Sequence, residues 1–126
     1  MIKSYLNNIE FFLPFNKQNN VSYLRSLGRD KKSTSKILSK IGITNRHIAD
    51  KDTFSNDLAY KSATKIFKNF DRNKISYIIN CTQSPEYLIP TNACILQNKL
   101  KLRKNIGALD INLGCSGYIY LLSLAK

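Results

Sequence analysis

The most informative segment of this chain is Gly107-Ala108-Leu109-Asp110-Ile111-Asn112-Leu113-Gly114-Cys115-Ser116-Gly117-Tyr118-Ile119-Tyr120. Its order predicts a short apolar strand, a tight turn, and then a helix whose first residue is Cys115. Gly114 and Gly117 leave the backbone free for a sharp strand-to-helix turn and for the close approach of a ligand. We therefore expect the turn to present Cys115 at a helix N-terminus.

Cys115 has the surroundings of a nucleophile. Unpaired N–H groups and the positive end of the helix dipole favour a thiolate at this position, and a thiolate attacks carbonyl carbon. The residues after it, 118–125, are apolar around nearly the whole helix, which predicts a helix buried on all sides and a cysteine at the bottom of a tunnel. From the turn alone, a buried structural cysteine is an equally good interpretation.

Composition bounds the class of protein. The 126 residues are 43% hydrophobic, which suits one small globular domain or half of a larger one. No apolar run reaches the length of a membrane span and no secretory signal is visible, so we expect a cytoplasmic location. Twenty basic residues against eight acidic ones give a net charge of +12. Such a charge suits nucleic acid, an acidic carrier protein or a phosphorylated ligand, or it reflects compositional drift.

Other chemistry is weakly indicated. The lysines are dispersed and no nucleic-acid motif is present, so we expect no nucleic-acid partner. The chain has three cysteines, Cys81, Cys94 and Cys115, and their spacing is not that of a zinc site. This odd number and this spacing predict neither a metal site nor a disulfide framework. We interpret Cys81 and Cys94 as buried structural thiols. His47 is the only histidine, and a structural imidazole is the more economical interpretation than a catalytic base.

Strand and helix patterns alternate along the chain. The predicted elements are a strand over 2–13, a short helix over 21–27, an exposed connection over 28–35, a helix over 55–70 with Ser55 as N-cap, a strand over 75–81 covered on both faces, a loop over 84–90, and a helix over 91–100. This order predicts an α/β layer. Alternation alone leaves a flavodoxin-like layer open.

Three segments in the same order resemble the β-ketoacyl-acyl carrier protein synthase III family, the thiolase-like condensing enzymes that start fatty-acid chains. They are Gly42-Ile43-Thr44-Asn45-Arg46-His47-Ile48-Ala49, Pro85-Glu86-Tyr87-Leu88-Ile89-Pro90-Thr91-Asn92-Ala93-Cys94, and the nucleophile segment 110–118. The resemblance implies a thiolase-like fold, of which residues 1–126 are the N-terminal half (a βαβαβα layer). We expect the C-terminal half to be absent and the half-domain to be truncated in the nucleophile helix.

The resemblance also implies a function. Cys115 matches the residue that receives the primer acyl group, so it implies an acyltransferase that loads Cys115 and condenses the acyl group with a malonyl-carrier thioester in fatty-acid or specialised acyl-chain synthesis. In the family a histidine and an asparagine from the second half hold the enolate, so the chain alone is expected to be inactive. A non-catalytic dimerisation or assembly module is the alternative.

Three further positions follow from the resemblance as substrate-binding residues. Lys36 stands where the family stacks a tryptophan on the cofactor adenine, and Lys40 replaces a nearby arginine. Two lysines can still meet phosphates, but the aromatic platform is gone, which favours an acyl carrier protein over acyl-coenzyme A as donor. Ile89 stands where the partner of a homodimer closes the acyl tunnel, and a smaller side chain leaves more room there. No resident cofactor is expected.

Overall fold

The computed structural model describes residues 3–126, and the chain in it divides into two units. Leu13–Thr53 form one, and Phe54–Lys126 together with the segment that ends at Phe12 form the other. The smaller unit contains β1 (Lys17–Asn19), α1 (Asn20–Ser26), α2 (Lys31–Ile41) and β2 (Asn45–His47). Strands β1 and β2 pair antiparallel, with Gln18 opposite Arg46.

A buried side-chain network holds the smaller unit together. The Asn20 amide, only 5% exposed, donates to the Ile43 carbonyl at 2.7 Å and accepts from Arg46 Nε at 2.7 Å. The Arg46 guanidinium also donates to Gln18 at 2.8 Å and lies 4.5 Å from the centre of the Tyr23 ring. Because Asn20 is buried and fully bonded, this network fixes the start of α1 against β2.

Residues 28–30 form an exposed connection, but α2 begins at Lys31, so the connection predicted over 28–35 is wrong for its second part, 31–35. The Asp30 carboxylate accepts from the Ser33 N–H at 2.8 Å and from the Ser33 hydroxyl at 3.0 Å, which caps the helix. The helix ends at Gly42, whose φ of 67° is the left-handed conformation that glycine adopts without strain.

The larger unit carries a parallel sheet. Its elements are α3 (Ser55–Ile66), a short 3₁₀ turn (Arg72–Lys74), β3 (Tyr77–Cys81), α4 (Asn92–Lys99), β4 (Gly107–Ile111) and α5 (Gly117–Ala125). Strands β3 and β4 pair in parallel from Tyr77 opposite Gly107 to Cys81 opposite Ile111, and α4 is the connection between them. This parallel pairing confirms the α/β layer, and it places the carboxyl ends of β3 and β4 at the same edge of the sheet.

The core of the larger unit lies between α4 and the sheet. Four apolar residues are buried there: Ala93, Leu96, Leu100 and Leu102. Half-buried apolar residues in or beside α3, β3 and β4 pack against the three leucines. They are Ala59, Ala63, Phe67, Ile75, Ile78 and Ile106. An apolar stripe of α3, which includes Ala59 and Ala63, therefore faces this core. Its N-cap position is Phe54 rather than Ser55, with the Phe54 N–H donating to Asp57 at 3.0 Å.

Three predictions about exposure and pairing are wrong. Within the strand predicted over 2–13, residues 3–13 form no strand, because no described strand pairs with them; residue 2 lies outside the described part of the chain. Strand β3 is half-buried rather than a fully covered central strand: α4 and α5 both contact it, but β4 is its one paired strand among residues 3–126, so one edge of β3 is left open there. Helix α5 packs against β3 on one side, and its remaining faces are exposed, with Ile119 at 66%.

Candidate active site

Cys115 lies in the turn between β4 and α5. Strand β4 ends at Ile111, whose carbonyl accepts from the Thr82 N–H at 3.2 Å, and α5 starts at Gly117, two residues after the cysteine. Cys115 was predicted to be the first residue of the helix, and this is wrong. It lies instead in a tight turn before the helix, in which the Gly117 N–H donates to the Gly114 carbonyl at 2.9 Å. The strand-turn-helix order itself is as predicted.

The turn faces an open pocket of about 510 Å³. Its walls come from the end of β3, the cysteine turn and the first turns of α5: Cys81, Thr82, Gln83, Leu113, Gly114, Cys115, Tyr118 and Leu121. Cys115 is exposed, so the predicted tunnel is not formed by the described residues. The reason is the uncovered outer face of α5. A substrate can reach the sulfur directly.

Sequence reasoning missed Thr82 and Gln83 as pocket residues. Gln83 lies so close to the cysteine turn that a Cβ atom on Gly114 would come within 3.0 Å of its side-chain amide. The signal was available, since both residues directly follow β3. The carboxyl ends of parallel strands meet at one edge of a sheet, and ligand sites gather there.

An anchor formed by the Asp110 carboxylate holds the end of β4, just before the cysteine turn. Asp110, the residue before the last of β4, accepts hydrogen bonds from the backbone N–H groups of Asn92 and Ala93, both at 2.7 Å. These donors are the first residues of α4, where unpaired N–H groups favour an anion. The Asn80 amide adds a weaker bond at 3.5 Å from the neighbouring strand. The anchor ties the end of β4 to the start of α4.

The other two cysteines differ from each other. Cys94 is exposed on α4 and accepts a hydrogen bond from the Thr91 hydroxyl at 3.3 Å, so its interpretation as a buried thiol is wrong. Cys81 is half-buried, and its Sγ donates to the Leu113 carbonyl at 3.6 Å. Cys81 lines the pocket with Cys115, whereas Cys94 does not.

The predicted substrate-binding residues lie in both units. Lys36 and Lys40 are exposed on α2 of the smaller unit, four residues apart and therefore on one helix face. Ile89 is 88% exposed in the loop before α4 of the larger unit and does not line the Cys115 pocket. Their roles stay predictions.

His47 is occupied by a backbone contact. Its Nδ1 lies 2.6 Å from the Pro14 carbonyl oxygen. A carbonyl only accepts, so the proton sits on Nδ1 and the ring ties β2 to Pro14, three residues before β1. This geometry favours the structural interpretation of the histidine.

Neither a group of metal ligands nor a helix suited to a membrane occurs within residues 3–126. No three His, Cys, Asp or Glu side chains come together as metal ligands. Within the same residues, no helix is both long enough and apolar enough to span a membrane.

Several known proteins are similar to this chain in sequence and in fold. No family model matches the chain. A β-ketoacyl-[acyl-carrier-protein] synthase III of Syntrophomonas wolfei is 39% identical over 92 residues, which are 71% of this chain and 27% of that protein. A crystal structure of a 3-oxoacyl-(acyl-carrier-protein) synthase III superposes with a TM-score of 0.81 and 41% identity over 94% of this chain and 35% of the other. A crystal structure of a 3-oxoacyl-(acyl-carrier protein) synthase from Burkholderia xenovorans superposes with a TM-score of 0.80 and 32% identity, over 90% of this chain and 32% of the other.

The fold is thiolase-like, as the resemblance implied. Within that fold, the chain is similar in sequence and structure to members of the β-ketoacyl-acyl carrier protein synthase III family. It spans about a third or less of the length of the relatives it matches.

Proposed function

We propose that Cys115 is the acyl-accepting nucleophile of a β-ketoacyl-acyl carrier protein synthase III-type acyltransferase. The observation that carries this proposal is the position of the sulfur, exposed in a tight turn just before α5 and at the edge of an open pocket. The thiolate attacks the carbonyl carbon of an acyl thioester, the donor thiolate leaves with a proton, and the acyl group remains on the sulfur.

The backbone of the turn supports this chemistry. Within residues 3–126, no carbonyl accepts from the Cys115 N–H, so this donor is available to the oxyanion that forms during attack. One such donor is worth about a hundredfold or more in rate. The dipole of α5 adds positive potential at the same end of the helix.

Condensation needs groups that these residues do not supply. Decarboxylation of a malonyl-carrier thioester generates an enolate that hydrogen-bond donors must stabilise. His47 already donates to Pro14 and belongs to the other unit, so it is not offered for this role. We therefore propose that residues 1–126 alone accept an acyl group but do not condense it.

The donor in this proposal is an acyl carrier protein rather than acyl-coenzyme A. Lys36 and Lys40 form a basic, exposed pair on α2 without an aromatic platform for an adenine ring. A basic rim suits an acidic carrier and accelerates its encounter. Ile89, exposed before α4, is the residue proposed to border the acyl group across a homodimer contact.

Acyl loading of the purified chain tests the nucleophile. The chain is incubated with acyl-carrier protein or acyl-coenzyme A, and the acylated residue is located by mass spectrometry after cleavage with trypsin and with a protease that cuts after Glu86. We expect the acyl group on Cys115, its loss in Cys115→Ala, and its retention in Cys94→Ala, which removes the other exposed thiol. Acylation of Cys94, or equal loading of Cys115→Ala, would overturn the assignment.

A matched pair of variants tests the donor. Lys36→Trp restores an aromatic side chain and should raise loading from acyl-coenzyme A several-fold relative to the carrier. Lys31→Trp is the control, because it removes the same charge about 140° around α2. Better loading of the unsubstituted chain from coenzyme A than from the carrier would contradict this part of the proposal.

The alternative, a non-catalytic assembly module, is favoured by one observation, the exposed apolar surface of α5. Such a surface commonly marks an association site. A chain that associates with itself while no cysteine accepts an acyl group would support this alternative.

A further inference from the structure

The pocket beside α5 contains two thiols of different exposure, and we propose that it is a site of reversible oxidative modification in which Cys81 and Cys115 form a disulfide. Both residues line the same opening. Cys81 takes no part in the acyl chemistry proposed above, so its thiol is free for this second reaction.

The geometry places the Cys81 sulfur against the turn that carries Cys115. Cys81 is the last residue of β3 and lies opposite Ile111, the last residue of β4. Its Sγ contacts the Leu113 carbonyl at 3.6 Å, two residues before Cys115. It also lies against Gly117, two residues after Cys115, where an added Cβ would collide with it. The sulfur therefore lies against the turn on both sides of the nucleophile, and the proposed bond requires the Cys115 side chain to turn toward it.

The third cysteine is a natural internal control. Cys94 is exposed on α4, but it contacts the Thr91 hydroxyl and is not among the residues of the pocket. Exposure alone would therefore make Cys94 and Cys115 equally open to oxidation. Cys115 also differs from Cys94 in that its pocket contains a second thiol, that of Cys81.

The oxidant is a hydroperoxide, and the reaction balances in two steps. The exposed Cys115 thiolate attacks one peroxide oxygen, the O–O bond breaks, and hydroxide leaves, so that the sulfur becomes a sulfenic acid. The Cys81 thiol then attacks that sulfur, the S–O bond breaks, and water leaves with the thiol proton. Two thiols and one hydrogen peroxide give one disulfide and two waters, and a dithiol reductant reverses the change.

Two consequences follow from this pairing. The disulfide protects Cys115 from irreversible oxidation to sulfinic acid, because the sulfenic acid is consumed by its neighbour. It also blocks acyl loading until it is reduced. The second consequence alone rests on the proposed function, whereas the bond itself does not.

Peptide mapping without reduction tests the bond. The chain is treated with one equivalent of hydrogen peroxide, alkylated, and cleaved with trypsin and with a protease that cuts after Glu86, which separates Cys81 from Cys94. We expect a monomer lighter by about 2 Da and a crosslinked peptide pair that contains Cys81 and Cys115. Cys94→Ser should form the same pair to the same extent.

The Cys81→Ser variant supplies the decisive contrast. With two equivalents of hydrogen peroxide and no resolving thiol, Cys115 of the variant should advance through sulfenic acid to sulfinic acid, about 32 Da heavier, whereas the unsubstituted chain treated in the same way should remain crosslinked. A disulfide to Cys94, a disulfide between two chains, or sulfinic acid on Cys115 in the unsubstituted chain would overturn the proposal. If the unsubstituted chain loads an acyl group on Cys115 while no crosslink forms in it, the redox proposal fails and the nucleophile assignment stands.

Discussion

The Asp110 carboxylate accepts a hydrogen bond of 2.7 Å from the backbone N–H of Asn92, the first residue of α4. Asn92 is fully buried and also accepts from the Glu86 N–H at 3.2 Å through its side chain. One carboxylate thus joins the strand before the cysteine turn to the helix and loop that pack beside it. The position of Cys115 depends on this joint.

Replacement of Asp110 by asparagine tests the joint. Asp110→Asn keeps the shape of the side chain but loses the charge that strengthens two backbone hydrogen bonds. We expect the free energy of unfolding to fall by about 1–3 kcal/mol. Urea denaturation measures it, with Asp52→Asn as an exposed control that should change stability by less than about 0.5 kcal/mol. Equal effects of the two substitutions would contradict the anchoring role.

Lys101 offers a stabilising substitution. Its φ of 53° is left-handed, and it follows α4 in a turn where the Leu102 N–H donates to Gln97 and the Lys101 N–H to Asn98, both at 3.0 Å. Glycine usually occupies this position because a Cβ is strained there. Lys101→Gly should therefore raise the free energy of unfolding by about 0.5–1 kcal/mol, after allowance for the entropy of the unfolded glycine.

Lys104→Gly is the control for this prediction. It removes the same charge from the same connection, where no left-handed backbone rewards glycine. We expect it to be neutral or destabilising in thermal or urea unfolding. A loss of stability in Lys101→Gly would show that the lysine side chain matters more than its backbone strain.

Much of the larger unit follows from local sequence. The β-branched run that ends at Cys81 and the apolar stripe of α3 each carry the period of the element they form. The paired strands β3 and β4 and the cysteine turn between β4 and α5 were predictable for that reason. The pocket residues Thr82 and Gln83 required the topology, because only strand pairing brings them beside Cys115.

The incorrect predictions have physical causes. The polar run after Asp30 looks like a loop by composition, yet one carboxylate supplies the N-cap that starts α2. The apolar residues of α5 and β3 indicate which surfaces can be buried. They do not indicate which elements pack against those surfaces. Burial is a property of neighbouring elements, so the exposure of Ile119 and Tyr77 was outside the reach of local patterns.

The Asp57–Lys99 pair predicts a pH dependence of stability. Lys99 Nζ lies 2.8 Å from the Asp57 carboxylate and links α4 to α3. This bond holds the pKa of Asp57 below its usual 3.8 and, reciprocally, the pKa of Lys99 above 10.5. The pair therefore contributes stability above pH 3.8 that is lost as pH falls through the folded Asp57 pKa, and stability below pH 10.5 that is lost as pH rises through that of Lys99.

Unfolding of Asp57→Asn across pH measures this contribution. Both side chains are about a third exposed, so we expect the variant to be less stable near pH 7 by only about 0.2–1 kcal/mol. The difference should shrink as pH falls below 3.8 and through the lower folded pKa of Asp57, because the carboxylate is then protonated in both folded and unfolded chains. A difference that persists unchanged in acid would assign the effect to the N-terminal turn of α3 rather than to the ion pair.

The outer face of α5 predicts self-association. Tyr118, Ile119, Tyr120 and Leu124 each keep more than half of their surface exposed, a density of apolar residues that water disfavours. We expect the purified chain to be dimeric or larger at micromolar concentration and to bind a hydrophobic dye. Ile119→Lys with Leu124→Lys should shift it toward monomer in sedimentation velocity, since each lysine places a charge in the contact. Leu27→Lys is the matched control, because Leu27 is 59% exposed and belongs to the smaller unit rather than to α5. A chain that is monomeric and binds no dye would show that the exposed face of α5 drives no association.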